Sequence, residues 1–376
     1  MERYIPWVIV NIMILTMFII SYYVNKTSNN GIFFGVRIPK EYQNKSEIIN
    51  LDNEYKKINI IVFLVIAVIS NFLFAYTINL KEEVLAVILV SIVMIILVLH
   101  SVIFVIYYKK MKNLKSSKGW NRKVKNVVVV DTTLRKPKRN EKIKIINSKY
   151  FALLFIFPVV MAIITLFKYS SLPNITDFPN SGFKNIEKDT LKGMLTLYQF
   201  PIAQLFMSSI FFFISKTIIN SRVDLNSGSI KEAVERKKRF KRISSILMLF
   251  TAVEILILFS ILQFSILYNF NSGIIEFIFT IIMLVTMIVF IGLFIKVGQG
   301  GRNLESKEEI DELYKDDDEK WILGCLYYNK NDPAWMVEKR VGIGWTINLA
   351  NPKGIIILIV LLIIIFFMVI IGGIIE

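Results

Sequence analysis

Eight runs of about twenty apolar residues punctuate this 376-residue chain, at 5–24, 58–79, 84–108, 150–170, 191–215, 244–268, 274–297 and 354–375. A hydrocarbon core about 30 Å thick is crossed by roughly 20 residues of α-helix. Within it every backbone N–H and C=O must find its partner inside the protein, so a run of this length has little choice but helix. The runs therefore predict an all-α integral membrane protein with about eight transmembrane helices. Composition agrees, with 55% hydrophobic residues and a mean hydropathy of +0.57, against the roughly 45–50% apolar share of soluble domains. The lipid bilayer is thus the first partner the chain requires. The opening run carries Glu2 and Arg3 in place of a basic leader and has no small-residue cleavage pattern before Asn25, so it reads as a retained helix and not a signal peptide.

Orientation follows from where Lys and Arg collect, because cytoplasmic loops carry their excess. Residues 109–149 hold fifteen of them against Asp131 and Glu141, and residues 216–242 hold nine against three acids. Both loops are expected inside. With eight crossings, 25–57 and 298–353 are inside as well, while both termini and the loops 80–83, 171–190 and 269–273 lie outside. The four inner loops then contain 38 of the 45 basic residues. This sidedness accounts for the net charge of +16 and the pI of 9.6, and no nucleic-acid partner is called for. Within the basic loop, "KKMKNLKSSKGWNRKVK" combines dense cations with Trp120 and suits adsorption to anionic headgroups.

The chain accordingly divides into three helices over 1–108 with the cytoplasmic loop 25–57, the basic loop 109–149, four helices over 150–297 with the outer loop 171–190, an acidic linker and aromatic module at 298–353, and the last helix at 354–376. In the first inner loop, "NNGIFFGVRIPKEY" opens on a turn signal and runs to Pro39, which predicts a short strand or hairpin. In the basic loop, "NVVVVDTTL" (Asn126 to Leu134) is a β-branched run between charged flanks and reads as a strand ended by Pro137. "ESKEEIDELYKDDDEK" (Glu305 to Lys320) has helical spacing and little apolar content, which suits a solvated helix or linker. Finally "CLYYN", "AWMVEKR" and "WTINLA" are strand-like runs separated by Lys-Asn-Asp-Pro and Val-Gly-Ile-Gly turns. They predict a small cytoplasmic aromatic-rich β meander before the last helix. Trp321, Trp335 and Trp345, three of the five tryptophans, belong to it. Amphipathic rings favour the headgroup level, so these aromatics are expected to pack the module onto the inner membrane surface or to offer a ligand or partner site.

Several classes of chemistry are excluded. Cys325 is the only cysteine and His100 the only histidine, which rules out an intramolecular disulfide, a Cys-rich zinc site, a CxxC redox pair and a histidine metal cluster. Asp316, Asp317, Asp318 and Glu319 lack the alternating ligands and turn glycine of an EF-hand, and "GQGG" at Gly298 to Gly301 is no phosphate loop, having no strand before it and no GK[ST] after it. No nucleophile elbow, HExxH or kinase motif occurs. The expectation is a non-enzymatic protein with no cofactor and no metal.

Several of these pieces together resemble a family of bacterial integral membrane proteins of unknown function, related to the SdpI-like bacteriocin-immunity group. "GQGG" followed by "WILGCLYYNKNDPAWMVEKRVGIGWTINLANP" carries most of the likeness, and "FFGVRIPKEY" with Tyr55, Lys56 and Lys57 adds to it. The outer loop "SSLPNITDFPNSGFKN" is similar to the patterned outer loop of that group at Leu172, Pro173, Ile175 and Gly182. It departs from the pattern where a histidine is expected, with Asp177 or Phe178 nearest in register and the second proline displaced to Pro179. The matches touch about a third of the chain. The resemblance implies a bacterial cell membrane location and an immunity-like or regulatory role, with a peptide or envelope protein as partner at the outer loop.

The apolar runs contain few ionisable groups, and each is a functional candidate by default. Glu254 lies ten residues into the sixth run, about 15 Å along the axis, near mid-membrane. It could carry a proton, or sit hydrogen-bonded to Asn71, Gln204 or Gln263, each polar within an apolar run. His100 falls in the inner third of the third run, where an interhelical hydrogen bond is the commoner use. Pro158 and Pro201 fall inside the fourth and fifth runs and should kink them. Two functions compete on these grounds: an immunity-like membrane protein acting through Leu172, Pro173, Asp177 and Gly182, and a proton- or cation-coupled secondary transporter using Glu254.

Overall fold

The computed structural model describes residues 4–28, 31–80, 82–120, 145–172, 175–176, 186–220, 230–270, 273–304, 316–360 and 362–363. The expected strand Asn126–Leu134, the acidic stretch 305–315, Pro173, Asp177, Gly182 and the latter half of the last helix lie outside them. The helices are α1 (Tyr4–Tyr22), α2 (Ser46–Thr77), α3 (Glu82–Ser117), α4 (Ser148–Tyr169, with a 3-10 turn at Leu153–Phe155), α5 (Leu191–Asn220), α6 (Ile230–Tyr268), α7 (Gly273–Val297) and α8 (352–360). Among the described residues the strands form four two-stranded antiparallel pairs: β1 (Ile32–Phe33) with β2 (Val36–Arg37), β3 (Ile175–Thr176) with β4 (Ile186–Glu187), β5 (Trp321–Ile322) with β6 (Leu326–Tyr327), and β7 (Met336–Glu338) with β8 (Trp345–Ile347).

Among the described residues six helices, α2 to α7, are long and apolar enough to cross a membrane. The other two of the expected eight fall short for different reasons. In α1 the apolar stretch is only Trp7–Tyr22, and of the last run only residues 352–360 and 362–363 are described as helix. The chain forms two compact units, residues 1–131, 222–237 and 288–350, and residues 132–221, 238–287 and 351–376.

In the first unit α1, α2 and α3 pack together. Val10, Ile14, Phe74, Leu85, Leu89, Ile92 and Ile96 form one buried apolar cluster, and Ser21 donates to Asn59 Oδ1 at 2.7 Å and lies 2.7 Å from the Tyr55 hydroxyl. Asn71 Nδ2 donates to Asn11 Oδ1 at 3.2 Å and to the Ala67 carbonyl at 2.6 Å, so its partner is α1. At 32 and 36 residues, α2 and α3 run roughly 48 and 54 Å at 1.5 Å per residue, well beyond a hydrocarbon core of about 30 Å. Their polar ends, the start of α2 and the end of α3, make a platform. The β1–β2 hairpin seats Phe34, Val36 and Ile38 on it, against Tyr55, Tyr107, Tyr108 and Met111. Trp120 belongs to this core: it is buried and stacked on Tyr42, ring centroids 5.2 Å apart and 9° from parallel. Within the stretch expected to adsorb to headgroups, the Trp120 ring thus packs on protein, while Lys109, Lys112 and Lys118 are exposed and residues 121–125 lie outside the described residues.

The second unit is built around two prolines. A proline inside a helix has no N–H for the carbonyl four residues earlier, and in a membrane that carbonyl must be satisfied by other means. Pro158 frees the Leu154 carbonyl, which accepts from Ser208 Oγ of α5 at 3.2 Å. Pro201 frees the Leu197 carbonyl, which accepts from Gln263 Nε2 of α6 at 2.9 Å. The same amide donates to Thr165 Oγ1 of α4 at 2.8 Å, so one side chain ties three helices. Gln204 Nε2 of α5 donates to the Leu256 carbonyl and to Ser260 Oγ of α6, both at 2.9 Å. Thr196, Ser208, Ser215, Ser245 and Ala252 are small residues buried in α5 and α6.

The coupling of Gln263 to Pro201 is measurable. Gln263→Leu should destabilise the detergent-solubilised chain by roughly 1–3 kcal/mol, the cost of an unsatisfied buried carbonyl. In a Pro201→Ala background the restored N–H serves Leu197 and the cost should shrink. Equal losses of thermal stability in both backgrounds would show that Gln263 does not cap this carbonyl.

Candidate functional site

The polar module after α7 is held by interactions that few isolated motifs would suggest. Its first hairpin turns through Leu323 and Gly324, with φ of 51° and 76°, and the β1–β2 hairpin turns through Phe34 and Gly35, with φ of 47° and 78°. Both central residues of a tight hairpin turn of this kind need positive φ. The two turns meet tip to tip: a β-carbon on Gly35 would fall 2.6 Å from Gly324 Cα. Only glycine satisfies both the backbone angle and the approach. Phe34 tolerates its left-handed conformation because its N–H donates to Asn25 Oδ1 at 2.8 Å and its ring is wedged between Tyr55 and Tyr107, at 4.9 and 5.5 Å.

Around this contact charges interlock. Arg37 Nε donates to Asp317 Oδ1 and its backbone N–H to Asp318 Oδ1, both at 3.0 Å. Arg340, only 2% exposed, reaches the same two oxygens through Nη2 at 2.8 and 2.5 Å, with its guanidinium carbon 5.8 Å from the Trp321 ring centre. Lys115 of α3 donates to Asp316 Oδ2 at 2.9 Å and Asp318 Oδ2 at 2.7 Å. Three acids thus bind three cations drawn from the first loop, the end of α3 and the module itself. Of the quartet Asp316, Asp317, Asp318 and Glu319, the three aspartates are engaged by side-chain cations. Lys237 pairs with Glu338 at a second contact, and Arg302 Nη1 donates to the Ser28 carbonyl at 2.5 Å.

The glycine-rich "GQGG" also finds its role here. Gln299 Nε2 donates to the Gly344 carbonyl at 2.9 Å and its Oε1 accepts from Gly344 N–H at 2.8 Å, so the side chain imitates one rung of a β-ladder. Inside the module Asn348 is the hub. Its Nδ2 donates to the carbonyls of Asn329, Asp332 and Ala334, and its Oδ1 accepts from the N–H groups of Asn329 and Ala350. Tyr327 OH donates to Asp332 Oδ2 at 2.9 Å. The expected three-stranded meander is replaced by two hairpins, joined where Tyr327 and Asn348 form a single parallel bridge. The physical reason is local: the Leu323–Gly324 turn gives β6 its partner in β5, and Asn348 holds the Asn-Asp-Pro segment away from any ladder.

Of the expected site residues, the module gathers Trp321, Trp335 and Trp345. Trp321 is buried against Tyr327 at 4.9 Å, and the other two are half-buried. Glu254 of α6 is 6% exposed, and its Oε1 accepts from Thr286 Oγ1 of α7 at 2.8 Å. That partner was not among those weighed, since Gln204 and Gln263 are taken up by backbone carbonyls and Asn71 by α1. His100 is half-buried on α3 in the other unit, with Nδ1 unpartnered among the described residues. Leu172 is buried with Leu197, Ile266 and Leu267, while Pro173, Asp177 and Gly182 fall outside the described residues. Sequence reasoning missed Arg37, Lys115, Arg340, Gln299 and Asn348. Basic residues near a compact acid run were the available signal; spacing said nothing of which would meet.

A model of the family of unknown function DUF5808 matches residues 330–355, which is the second hairpin with its Asn348 hub and the entry into α8. No curated protein and no solved structure matches the chain.

Removing Arg340 leaves Asp317 and Asp318 short of a cation. Arg340→Met should cost roughly 3–5 kcal/mol, as for a broken buried pair, and Arg340→Lys less. Melting within about 1 kcal/mol of the native chain, a difference of the size seen for exposed pairs, would remove the network from the module's support. Burial pushes the Cys325 thiol up, which leaves less thiolate at neutral pH. Maleimide should therefore label the folded chain more slowly than the chain in denaturing detergent, with the gap closing as pH rises. Equal rates at neutral pH would refute it.

Proposed function

We propose that this chain is a non-enzymatic multi-pass protein of a bacterial cell membrane, of the immunity-like or regulatory class, which presents its outer loop 171–190 to a peptide or envelope protein. In this reading eight helices cross the membrane, both termini are outside, and the ion-paired module is a cytoplasmic brace. The resemblance to the SdpI-like group supports it, as does the charge distribution. The observation that carries it is the way the loop is clamped at its base. Lys188 Nζ donates to the Leu172 carbonyl at 2.9 Å and to that of Tyr169 at 3.4 Å, Tyr169 OH donates to Asp189 Oδ1 at 2.5 Å, and the backbones of 175–176 and 186–187 pair. A presented hairpin with an anchored base loses little conformational entropy on binding a partner.

A second reading is favoured by one contact. The Glu254–Thr286 pair lies inside membrane-crossing helices, where a carboxylate is costly and commonly functional, and it suits a proton- or cation-coupled transporter.

The test is survival of a sensitive bacterial strain against membrane-active peptides, comparing empty vector, the native chain, Lys188→Met and Glu254→Gln at matched membrane levels. Protection by the native chain that falls several-fold in Lys188→Met and persists in Glu254→Gln is the expected result. Protection lost only in Glu254→Gln would favour the coupled transporter. Absence of protection by the native chain would overturn the immunity reading.

A further inference from the structure

The β5–β6 hairpin carries an apolar surface that the fold does not use. Ile322, Leu323, Leu326 and Tyr328 are 47%, 39%, 44% and 41% exposed, although their neighbours Trp321, Gly324 and Tyr327 are buried. Three aliphatic side chains within five residues are thus directed away from a module otherwise held by ion pairs and amide contacts. Leu323 does so from the left-handed region, a conformation an aliphatic residue adopts only when its surroundings impose it.

The level of this hairpin is fixed by α3 in the same unit. Gly324 backs onto the Tyr108 ring so closely that a β-carbon there would fall 2.8 Å from Cδ2. Tyr108 ends the apolar run of α3. On its membrane side Val98, Val102 and Ile106 are exposed aliphatics, the surface a crossing helix offers to acyl chains. On its other side Lys109, Lys110 and Lys112 are exposed cations, placed for phosphate headgroups. Tyr108 therefore marks the boundary between hydrocarbon and headgroups, and the hairpin tip is pinned beside it.

We infer that the β5–β6 hairpin is a membrane-inserting finger, with Ile322, Leu323 and Leu326 seated at the boundary of headgroups and acyl chains in the leaflet facing the module. The occupant of this apolar surface is lipid, because the exposed side chains continue the lipid-facing band of α3 at the depth where that band ends. The finger gives the ion-paired module a second attachment to the membrane, independent of the helix that follows it.

The full chain tests this directly, since its single cysteine lies in the finger. In a Cys325→Ser, Leu326→Cys variant an environment-sensitive fluorophore occupies an exposed position, and native Cys325 provides a second site should that variant fold poorly. The labelled chain is reconstituted in phosphatidylethanolamine and phosphatidylglycerol vesicles, with spin labels near the headgroup end of the acyl chains in one set and iodide on both sides of the membrane in another. The expected result is loss of most of the fluorescence to the shallow spin label, with little loss to iodide. Quenching chiefly by iodide would overturn the inference, because the finger would then lie in water. Protection from both quenchers would overturn it as well, because protein and not lipid would then cover the tip.

Discussion

Everything on the polar side of the first unit depends on pairing the buried cations Arg37, Lys115 and Arg340 with the exposed Asp316 and the half-buried Asp317 and Asp318. Removing three cations from water is expensive, and the attraction of the acids beside them returns it only when geometry is good and other hydrogen bonds complete the shell. Here the shell is completed by segments far apart in the chain: the first loop, the end of a long helix and the last module. Any shift of the module would strand a buried ammonium or guanidinium. The ion knot therefore fixes register more than it adds net stability. Tip-to-tip packing of Gly35 and Gly324 depends on that register, as does the reciprocal pairing of Gln299 with Gly344.

The second unit solves a different problem with the same economy. Two helix-interior prolines release two carbonyls where water is scarce, and Ser208 and Gln263 from neighbouring helices receive them. The polar residues of the fifth and sixth apolar runs are thereby explained without transport. Gln263 serves the proline of one helix and the threonine of another, so it is a packing residue first. Glu254 stands apart from this scheme, its side chain facing Thr286.

Function-bearing residues were legible only where their meaning is local. The glycines of "FFGVRIP" and "WILGC" announce turns, but that the two turns touch is decided by where α3 and the first loop converge. The cation run around Trp120 suggested headgroup adsorption, but that the ring itself would stack on Tyr42 is decided by where the first loop meets the end of α3. Trp321, Trp335 and Trp345 lie in or beside the two hairpins after α7. Their partners were not foreseen: Arg340 over Trp321 is a contact between residues nineteen positions apart whose spacing carries no periodic signal.

By itself the sequence determined that the chain forms apolar helices suited to a membrane, because each run must satisfy its own backbone and its length matches a hydrocarbon core. It also determined the asymmetry of charge between loops and the turn chemistry of the hairpins, since these depend on residue type and near neighbours alone. Tertiary structure decided which acid meets which cation, which amide caps which proline-freed carbonyl, and that the aromatic module is two hairpins and not a meander. Those choices rest on hydrogen bonds and ion pairs between residues as far apart in the chain as Arg37 and Asp318, 281 positions. Such bonds have short range and strict geometry, so only the folded path of the backbone can bring them into being.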